Sequence, residues 1–448
     1  MTAFHAYDIR GIYNVDFNKE DAYRIGFFLP KLMNTSKILI GRDVRISSPE
    51  IYEALSSGIM DAGANVYNAG LTTTPMVYFL TAKYDFEASV MITASHNGKE
   101  YNGMKVSGPN ATPIGYAKGL NKLEEMIKGE VIITEPKGVE IDFDKHDVYE
   151  DFLKTYFEEK INSLNITIDT SNGMAALFVE NILGSKPNYL FKELDGSFPN
   201  HEANPLDPKN IVDIQKAVVE NNSDIGVIFD GDADRVMFID EKGNFISPDL
   251  MIAVIGHYFI KNKEESIDVL QDIRSSKAVE EYLVKQGNIN MNTWKVGRAF
   301  ASVKLHELDA LWGGELAGHY YFKDFYYSDS GILAMLIILN VIADFKQKNI
   351  KVSELIASIK TYANSGEINF KIAQKQEAME AVRKHFSETE SPTRFLDFDG
   401  YRLEFPDWWF NIRPSNTEPY LRLIVEAKTD SILDTKLNII KNIISDFS

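Results

Sequence analysis

Short apolar runs alternate with amphipathic stretches through most of the chain, which is the pattern of buried strands alternating with helices. Lys37-Ile38-Leu39-Ile40 reads as a strand, followed by Gly41-Arg42-Asp43-Val44-Arg45 and a helix from Ser48 to Asp61. Asn65 to Gly70 is a second strand, Thr72-Thr73-Thr74-Pro75 opens another helix, and Ala88 to Ile92 is a third strand. The order recurs from Asn165 to Asp169, through Asn188 to Glu193 and a long loop, to Asp224 to Phe229. A third round runs through Ile267 to Gln271, Asn292 to Gly297 and Asp309 to Trp312. Such alternation predicts mixed, mostly parallel α/β sheets with helices on both faces. Each unit, about a hundred residues long, is too long for a solenoid repeat and fits a domain.

The pattern changes after Tyr362-Ala363-Asn364-Ser365-Gly366, a small polar stretch that reads as a hinge. Beyond it, strands at Glu367 to Ile372, Tyr401 to Phe405, Trp408 to Ile412 and Leu421 to Ala427 outnumber the helices, one at Gln376 to Phe386 and one at the C-terminus. This last segment is read as a smaller α+β domain. The expected boundaries are 1–147, 148–249, 250–362 and 363–448.

Composition narrows the function. With 448 residues the chain exceeds what one core serves, and 44% hydrophobic with 25% charged residues is globular. A net charge of −18 argues against a nucleic-acid-binding surface. An anionic substrate then needs a local cationic pocket. The absence of cysteine excludes disulfides, thiolate metal sites and a cysteine nucleophile. Met1 to Asp8 has no basic or apolar signal-peptide segment. The longest apolar run, Gly331 to Val341, falls short of the roughly 20 residues of a membrane span. The expectation is a cytoplasmic protein with no membrane partner.

Each α/β unit delivers one polar loop from its third strand, where ligands bind in open α/β sheets. The first is Thr93-Ala94-Ser95-His96-Asn97-Gly98-Lys99-Glu100-Tyr101-Asn102-Gly103-Met104-Lys105. Ser95 is the candidate nucleophile, with His96 and Lys105 as cations or proton carriers. The alternative is a plain polar turn capped by Ser95. The second loop is Asp230-Gly231-Asp232-Ala233-Asp234-Arg235. Carboxylates at alternate positions converge only in a tight loop, and their mutual repulsion calls for a divalent cation; hard oxygen donors suit Mg²⁺. The competing readings are a solvated acidic turn and an EF-hand-type Ca²⁺ loop. The latter has Glu241 in register, but Arg235 where that loop needs glycine. The third loop, Gly313 to His319, carries Glu315 and His319 on a Gly-rich backbone suited to sugar hydroxyls. A fourth, Arg413-Pro414-Ser415-Asn416-Thr417-Glu418-Pro419, gathers Arg413, Ser415, Asn416 and Thr417 as phosphate-binding types between two stiffening prolines; the alternative is an ordinary turn. Neither a dinucleotide glycine fingerprint nor a Walker lysine motif is evident.

In this order, and over essentially the full chain from Tyr7-Asp8-Ile9-Arg10-Gly11 to the Arg413 loop, the four loops resemble those of the α-D-phosphohexomutase superfamily. The resemblance implies four domains around a central cleft, the first three sharing a topology. It implies that Ser95 is phosphorylated and shares Mg²⁺ with Asp230, Asp232 and Asp234. Arg10, His96, Lys105 and Arg235 match positions around the phosphoserine. Arg10, Arg235 and His96 would add positive field, and Lys105 would act as general acid or base. Tyr7, Arg274, Arg298, Glu315, Ala317, His319, Arg413, Ser415, Asn416 and Thr417 would bind substrate, with the Arg413 loop holding the phosphate that is not reacting. The implied reaction interconverts hexose 6-phosphate and hexose 1-phosphate through a hexose 1,6-bisphosphate. Asn416, the run Phe405 to Ala427, and His319 with Tyr320-Tyr321-Phe322 look like the bacterial phosphomannomutases. Phosphoglucosamine and glucose phosphate mutases are the sibling readings, and a phosphosugar-binding regulator or phosphatase is the reading from another class. The chain departs from the family at Ala317, where serine is usual, at Arg298, where histidine is common, and at Arg274, where lysine is frequent. A small phosphosugar is the expected partner, met by a monomer or homodimer.

Overall fold

The computed structural model describes residues 3–261, 265–415 and 420–447. One strand order recurs in its first three sheets. In the second it is Phe245–Ile246, Val236–Asp240, Ile225–Phe229, Ile166–Asp169, Asn188–Leu190; in the third, Ser328–Asp329, Tyr320–Phe322, Trp312–Gly314, Ile267–Asp272, Ile289–Trp294. The first sheet has Ile9–Ile12, Tyr101–Ser107, Ser89–Ile92, Lys37–Arg42, Asn65–Leu71, and adds Glu140–Asp142 at the far edge. The three strands read from sequence in each unit pair in parallel, and the remaining two at the opposite edge run antiparallel. The sheets are thus mixed, for a simple reason. Loops 93–100, 230–235 and 315–319 are shorter than the roughly dozen residues a parallel crossover needs, so the next strand must turn back. Each of these three polar loops therefore sits at the same place, the reversal after the third parallel strand.

Ile225–Phe229 is buried at every position, as expected of a strand covered on both faces. One apolar cluster runs from Leu39 to Ile359, so the first three units share a core. The helix Gly331–Gln347 is buried from Gly331 to Ala343 and lies within that core. No helix among the described residues is long and apolar enough to cross a membrane.

The fourth sheet is wholly antiparallel and has its own core, which includes Trp408, Phe410, Phe386 and Ile440. It contains a short strand, Arg394–Leu396, that the sequence pattern does not announce. The expected hinge stretch is partly strand: Ala363–Asn364 pairs with Glu426 and Ala427, and Gly366 takes a φ of +68° just beyond.

Candidate active site

Strand Ser89–Ile92 ends at Thr93, whose hydroxyl accepts the Ser95 N–H at 2.9 Å. Ser95 has a φ of +51°, a conformation that costs energy for any residue but glycine. That conformation turns its Oγ to donate to Asp230 Oδ2 at 2.7 Å and sets it 3.3 Å from His96 Nδ1. The fit between the two loops is close. A Cβ on Gly231 would lie 2.6 Å from the Ser95 carbonyl oxygen, so glycine is needed there for contact rather than for torsional freedom.

Ala233, with a φ of +61°, curls the second loop so that Asp230, Asp232 and Asp234 each bring an oxygen within 4.8 Å of the others. All three are buried. Burial, then Asp234 and Asp232, pushes the Asp230 carboxyl well above its ordinary range. Lys105 Nζ reaches Asp232 at 2.7 Å and Asp234 at 2.5 Å. These contacts outweigh its own desolvation and hold the ammonium charged well above its usual range. Thr74 Oγ1 donates to Asp232 at 2.5 Å from the start of helix Thr74–Lys83, a start fixed by Thr73 capping Met76 N–H at 3.1 Å. Asp232 Oδ1 and Asp234 Oδ1 are buried with no hydrogen-bond partner. Buried carboxylate oxygens left over after the lysine is counted are the donors that a divalent cation would use. Burial removes the solvated-turn reading. The EF-hand reading fails too: Val236–Asp240 follows as a strand, and Glu241 accepts from Ser353 N at 3.0 Å and Ser353 Oγ at 2.6 Å instead of returning to the loop.

The third loop meets the second edge to edge. Arg235 and His319 form an antiparallel bridge, and Val236 N–H donates to Gly318 O at 3.2 Å. Arginine only donates, so the 2.9 Å contact from Arg235 Nε makes His319 Nε2 an acceptor. The proton is then on Nδ1, which donates to Asp329 Oδ2 at 2.5 Å. Glu315 is buried, receives Tyr321 OH at 2.7 Å and Gly297 N–H at 3.2 Å, and is pushed upward by burial. Ala317, between them, offers no polar side-chain atom.

The remaining expected residues divide into two sets. Arg10 spans the nucleophile loop, donating to Ala94 O at 3.2 Å and Asn97 Oδ1 at 2.7 Å, with Asp8 at 2.5 Å behind it. His96, read from the sequence as a cation or proton carrier, lies with Nδ1 3.3 Å from Ser95 Oγ. Burial, then Arg235, Arg10 and Lys105, press it well below its usual range, so its imidazole is neutral. The Arg298 guanidinium lies 3.6 Å from the Tyr78 ring centre and donates to Asp329 at 3.0 Å and Ala111 O at 2.8 Å. Arg274 is held by Asp272 at 2.7 Å, with Glu315 at 3.9 Å and Glu367 at 3.8 Å. Tyr7 packs edge-on against Phe300 beside Gly297. Arg413 is buried, 3.7 Å from Asp399, and its Nε and Nη1 find no hydrogen-bond partner among the described residues; burial and Arg274 lower its pKa. Ser415 N–H donates to Tyr420 O at 2.9 Å, while Asn416 and Thr417 lie outside the described residues. The sequence reading passes over Arg45, Thr74 and Asp329. Arg45 stands in a polar stretch after a strand, as the nucleophile does, and Thr74 and Asp329 are disguised as helix-start residues.

Known proteins carry the same plan. Residues 1–131, 147–243 and 247–362 match phosphoglucomutase/phosphomannomutase alpha/beta/alpha domains I, II and III, and residues 367–437 match the C-terminal domain. A phosphomannomutase of Methanocaldococcus jannaschii is 36% identical, over 99% of this chain and 98% of its own. One of Escherichia coli K12 is 35% identical over 96% of each. The crystal structure of a phosphoglucomutase/phosphomannomutase family protein from Burkholderia thailandensis superposes with a TM-score of 0.87 at 25% identity, covering 99% of this chain and 97% of that one. With four consecutive domain matches and these full-length relatives, the chain belongs to the phosphoglucomutase/phosphomannomutase family.

Proposed function

We propose that the protein is a phosphomannomutase that interconverts mannose 6-phosphate and mannose 1-phosphate through phosphorylated Ser95 and a hexose 1,6-bisphosphate. The observation that carries this is the aim of Ser95 Oγ at the three-carboxylate cluster, 2.7 Å from Asp230. The names of the full-length relatives favour mannose. We assign Asp230, Asp232 and Asp234, with a phosphoserine oxygen, to hold Mg²⁺, which when bound neutralises phosphoryl charge.

The chain's own residues do the rest. A sugar hydroxyl oxygen attacks the phosphorus, the Ser95 Oγ–P bond breaks, the hydroxyl proton needs an acceptor, and the departing Ser95 Oγ takes a proton in return. We assign that role to His319 Nε2, which is free to take the proton only once Arg235 Nε leaves it for the transferring phosphoryl group. Lys105 is held protonated by two aspartates, whereas His319 has Asp329 at Nδ1 to orient its ring and to stabilise an imidazolium. Lys105, Arg10 and Arg235 supply fixed positive charge, and neutral His96 supplies a hydrogen-bonding partner for Ser95. Arg413 has buried donors without protein partners for the distal phosphate, and Glu315 suits sugar hydroxyls. The bisphosphate then turns end for end and returns its other phosphate to Ser95. We take segments 1–147, 148–249, 250–362 and 363–448 as the working bodies, the last moving about residues 363–366 to admit substrate and exclude water. The proposed setting is the cytoplasm, as a monomer or homodimer.

Coupled assays with mannose, glucose and glucosamine 6-phosphates, together with intact mass after incubation with a hexose 1,6-bisphosphate, test this reading. The expected result is mannose turnover and one added phosphate, lost in Ser95→Ala. A preference for glucosamine 6-phosphate or glucose 6-phosphate overturns the sugar assignment. Full activity in Ser95→Ala overturns the mechanism.

A further inference from the structure

Arg45 is one of the largest fully buried side chains, and all five of its guanidinium N–H donors have a partner within reach. Nε donates to Asp43 Oδ2 at 3.1 Å. Nη2 donates to Ser95 O at 2.8 Å and Asn97 O at 2.7 Å; Nη1 donates to Gly98 O at 2.7 Å and Tyr101 O at 3.0 Å. One planar group thus gathers four carbonyls of the nucleophile loop, from Ser95 itself to the first residue of the returning strand. Carbonyls pointing inward from so short a loop repel one another, and a rigid fork of donors answers that where a point charge cannot.

Arg45 is also fixed from the second unit. Its guanidinium lies 5.0 Å from the Phe198 ring centre, and its backbone forms a parallel bridge with Gly196. A Cβ on Gly196 would come within 2.2 Å of Val44 O, so that contact leaves no slack. The same second-unit loop reaches the aspartates: Ala203 Cβ would lie 3.4 Å from a Cβ on Gly231. Asp43, which orients Arg45, is itself fixed by Ser48 Oγ at 2.6 Å and by the Arg45 N–H at 3.0 Å.

We infer that Arg45, set by Asp43 and Phe198, is the positioning residue that keeps Ser95 in its left-handed conformation and so aims the phosphoserine at the metal-binding aspartates. This rests on the phosphoserine reading above. None of the Arg45 donors is left to meet substrate, so its loss acts on the rate of phosphoryl transfer and not on sugar affinity. Misplacing a reacting atom by about 1 Å is enough for about a hundredfold in rate.

The test compares Arg45→Lys and Phe198→Leu with the wild type by steady-state kinetics and by single-turnover transfer of phosphate from a hexose 1,6-bisphosphate to Ser95, followed by mass. For Arg45→Lys, kcat and the transfer rate should fall about a hundredfold while KM stays within about threefold. For Phe198→Leu, which keeps every hydrogen bond, kcat should fall about tenfold with KM again unchanged. Wild-type transfer rates in both variants, or a change confined to KM, overturn the inference. Should Arg45→Lys fail to fold, Phe198→Leu decides alone. If the wild type takes no phosphate on Ser95, the phosphoserine reading has failed; if it does and both variants transfer normally, only the role of Arg45 has failed.

Discussion

The Ser95 hydroxyl donates to Asp230 at 2.7 Å, a contact between loops 135 residues apart in the chain. It ties the Ser95 loop of the first unit to the aspartate loop of the second. Asp230 is also the carboxyl that burial and its two acidic neighbours press hardest toward protonation. Replacing it with Asn removes one of three crowded negative charges. We expect Asp230→Asn to melt no lower than the wild type in the presence of a chelator. Saturating Mg²⁺, at about a hundred times its Kd, should stabilise the wild type by about 2.7 kcal/mol and the variant much less. Equal Mg²⁺-dependent melting shifts in the two proteins would contradict the assignment of Asp230 as a ligand.

Lys105 neutralises Asp232 and Asp234 from a nearly buried position. Removing one partner from such a group leaves buried charge uncompensated, at about 3–5 kcal/mol. Lys105→Met should therefore destabilise the chelated protein by that order, with Mg²⁺ restoring part of it. Because the folded pKa of Lys105 is raised, its contribution is complete below the ordinary lysine range and fades only as pH rises through the folded value. No loss from this group should appear near neutrality in melts against pH. A variant as stable as wild type in chelator would show that the lysine is not needed there.

Asp329 fixes the His319 proton on Nδ1, leaving Nε2 with its lone pair toward Arg235. Asp329→Asn can present an amide donor to Nδ1 and reverse the tautomer. We expect kcat to fall by about 10²–10⁴ with little change in KM, the size of a lost acid–base contribution. The same loss in Lys105→Arg with none in Asp329→Asn would return the proton-transfer role to Lys105.

How much of this was legible in the sequence follows from how far apart the partners are. Ser48–Asp61 and Leu421–Ala427 match the elements read from pattern because their periodicity is local. Ser95, the three aspartates and Glu315 stand out because each sits in a polar loop directly after an apolar strand. Arg45 also follows a strand in a polar stretch, but its meaning, like that of Asp329, lies in groups brought to it by the fold, carbonyls for the one and a histidine for the other. The surroundings of His96 and Arg298 were hidden for the same reason. The downward pressure on the His96 pKa comes from burial first and then from Arg235, Arg10 and Lys105 on other elements, and Arg298 is turned toward Tyr78 and Ala111 of another unit. The antiparallel return in each sheet follows from loop length, which the parallel pattern of the preceding strands obscured.

Glu426 joins the third and fourth units at the hinge. Its Oε2 accepts from Ser276 Oγ at 2.7 Å and Trp409 Nε1 at 2.8 Å, and its Oε1 from Asn364 Nδ2 at 2.7 Å. Burial, then the nearby Asp249 carboxylate, pushes its pKa up to about 7, against an ordinary value of 4.5. Between those two values the folded protein binds a proton that the unfolded chain has released, so stability falls as pH rises. The contribution is complete below the ordinary carboxylate range and gone above about 7. Deprotonation leaves a charge beside Asp249 in an interior where three neutral donors meet it, and that strain acts on a contact between the third and fourth units. We expect melting midpoints of the wild type, compared at about pH 5 and about pH 8, to carry a downward component that Glu426→Gln lacks. Proteolytic cleavage at residues 363–366 should speed up with pH in the wild type and not in the variant. Parallel pH profiles in both measurements would mean that Glu426 stays ionised across the range and that the hinge does not respond to it.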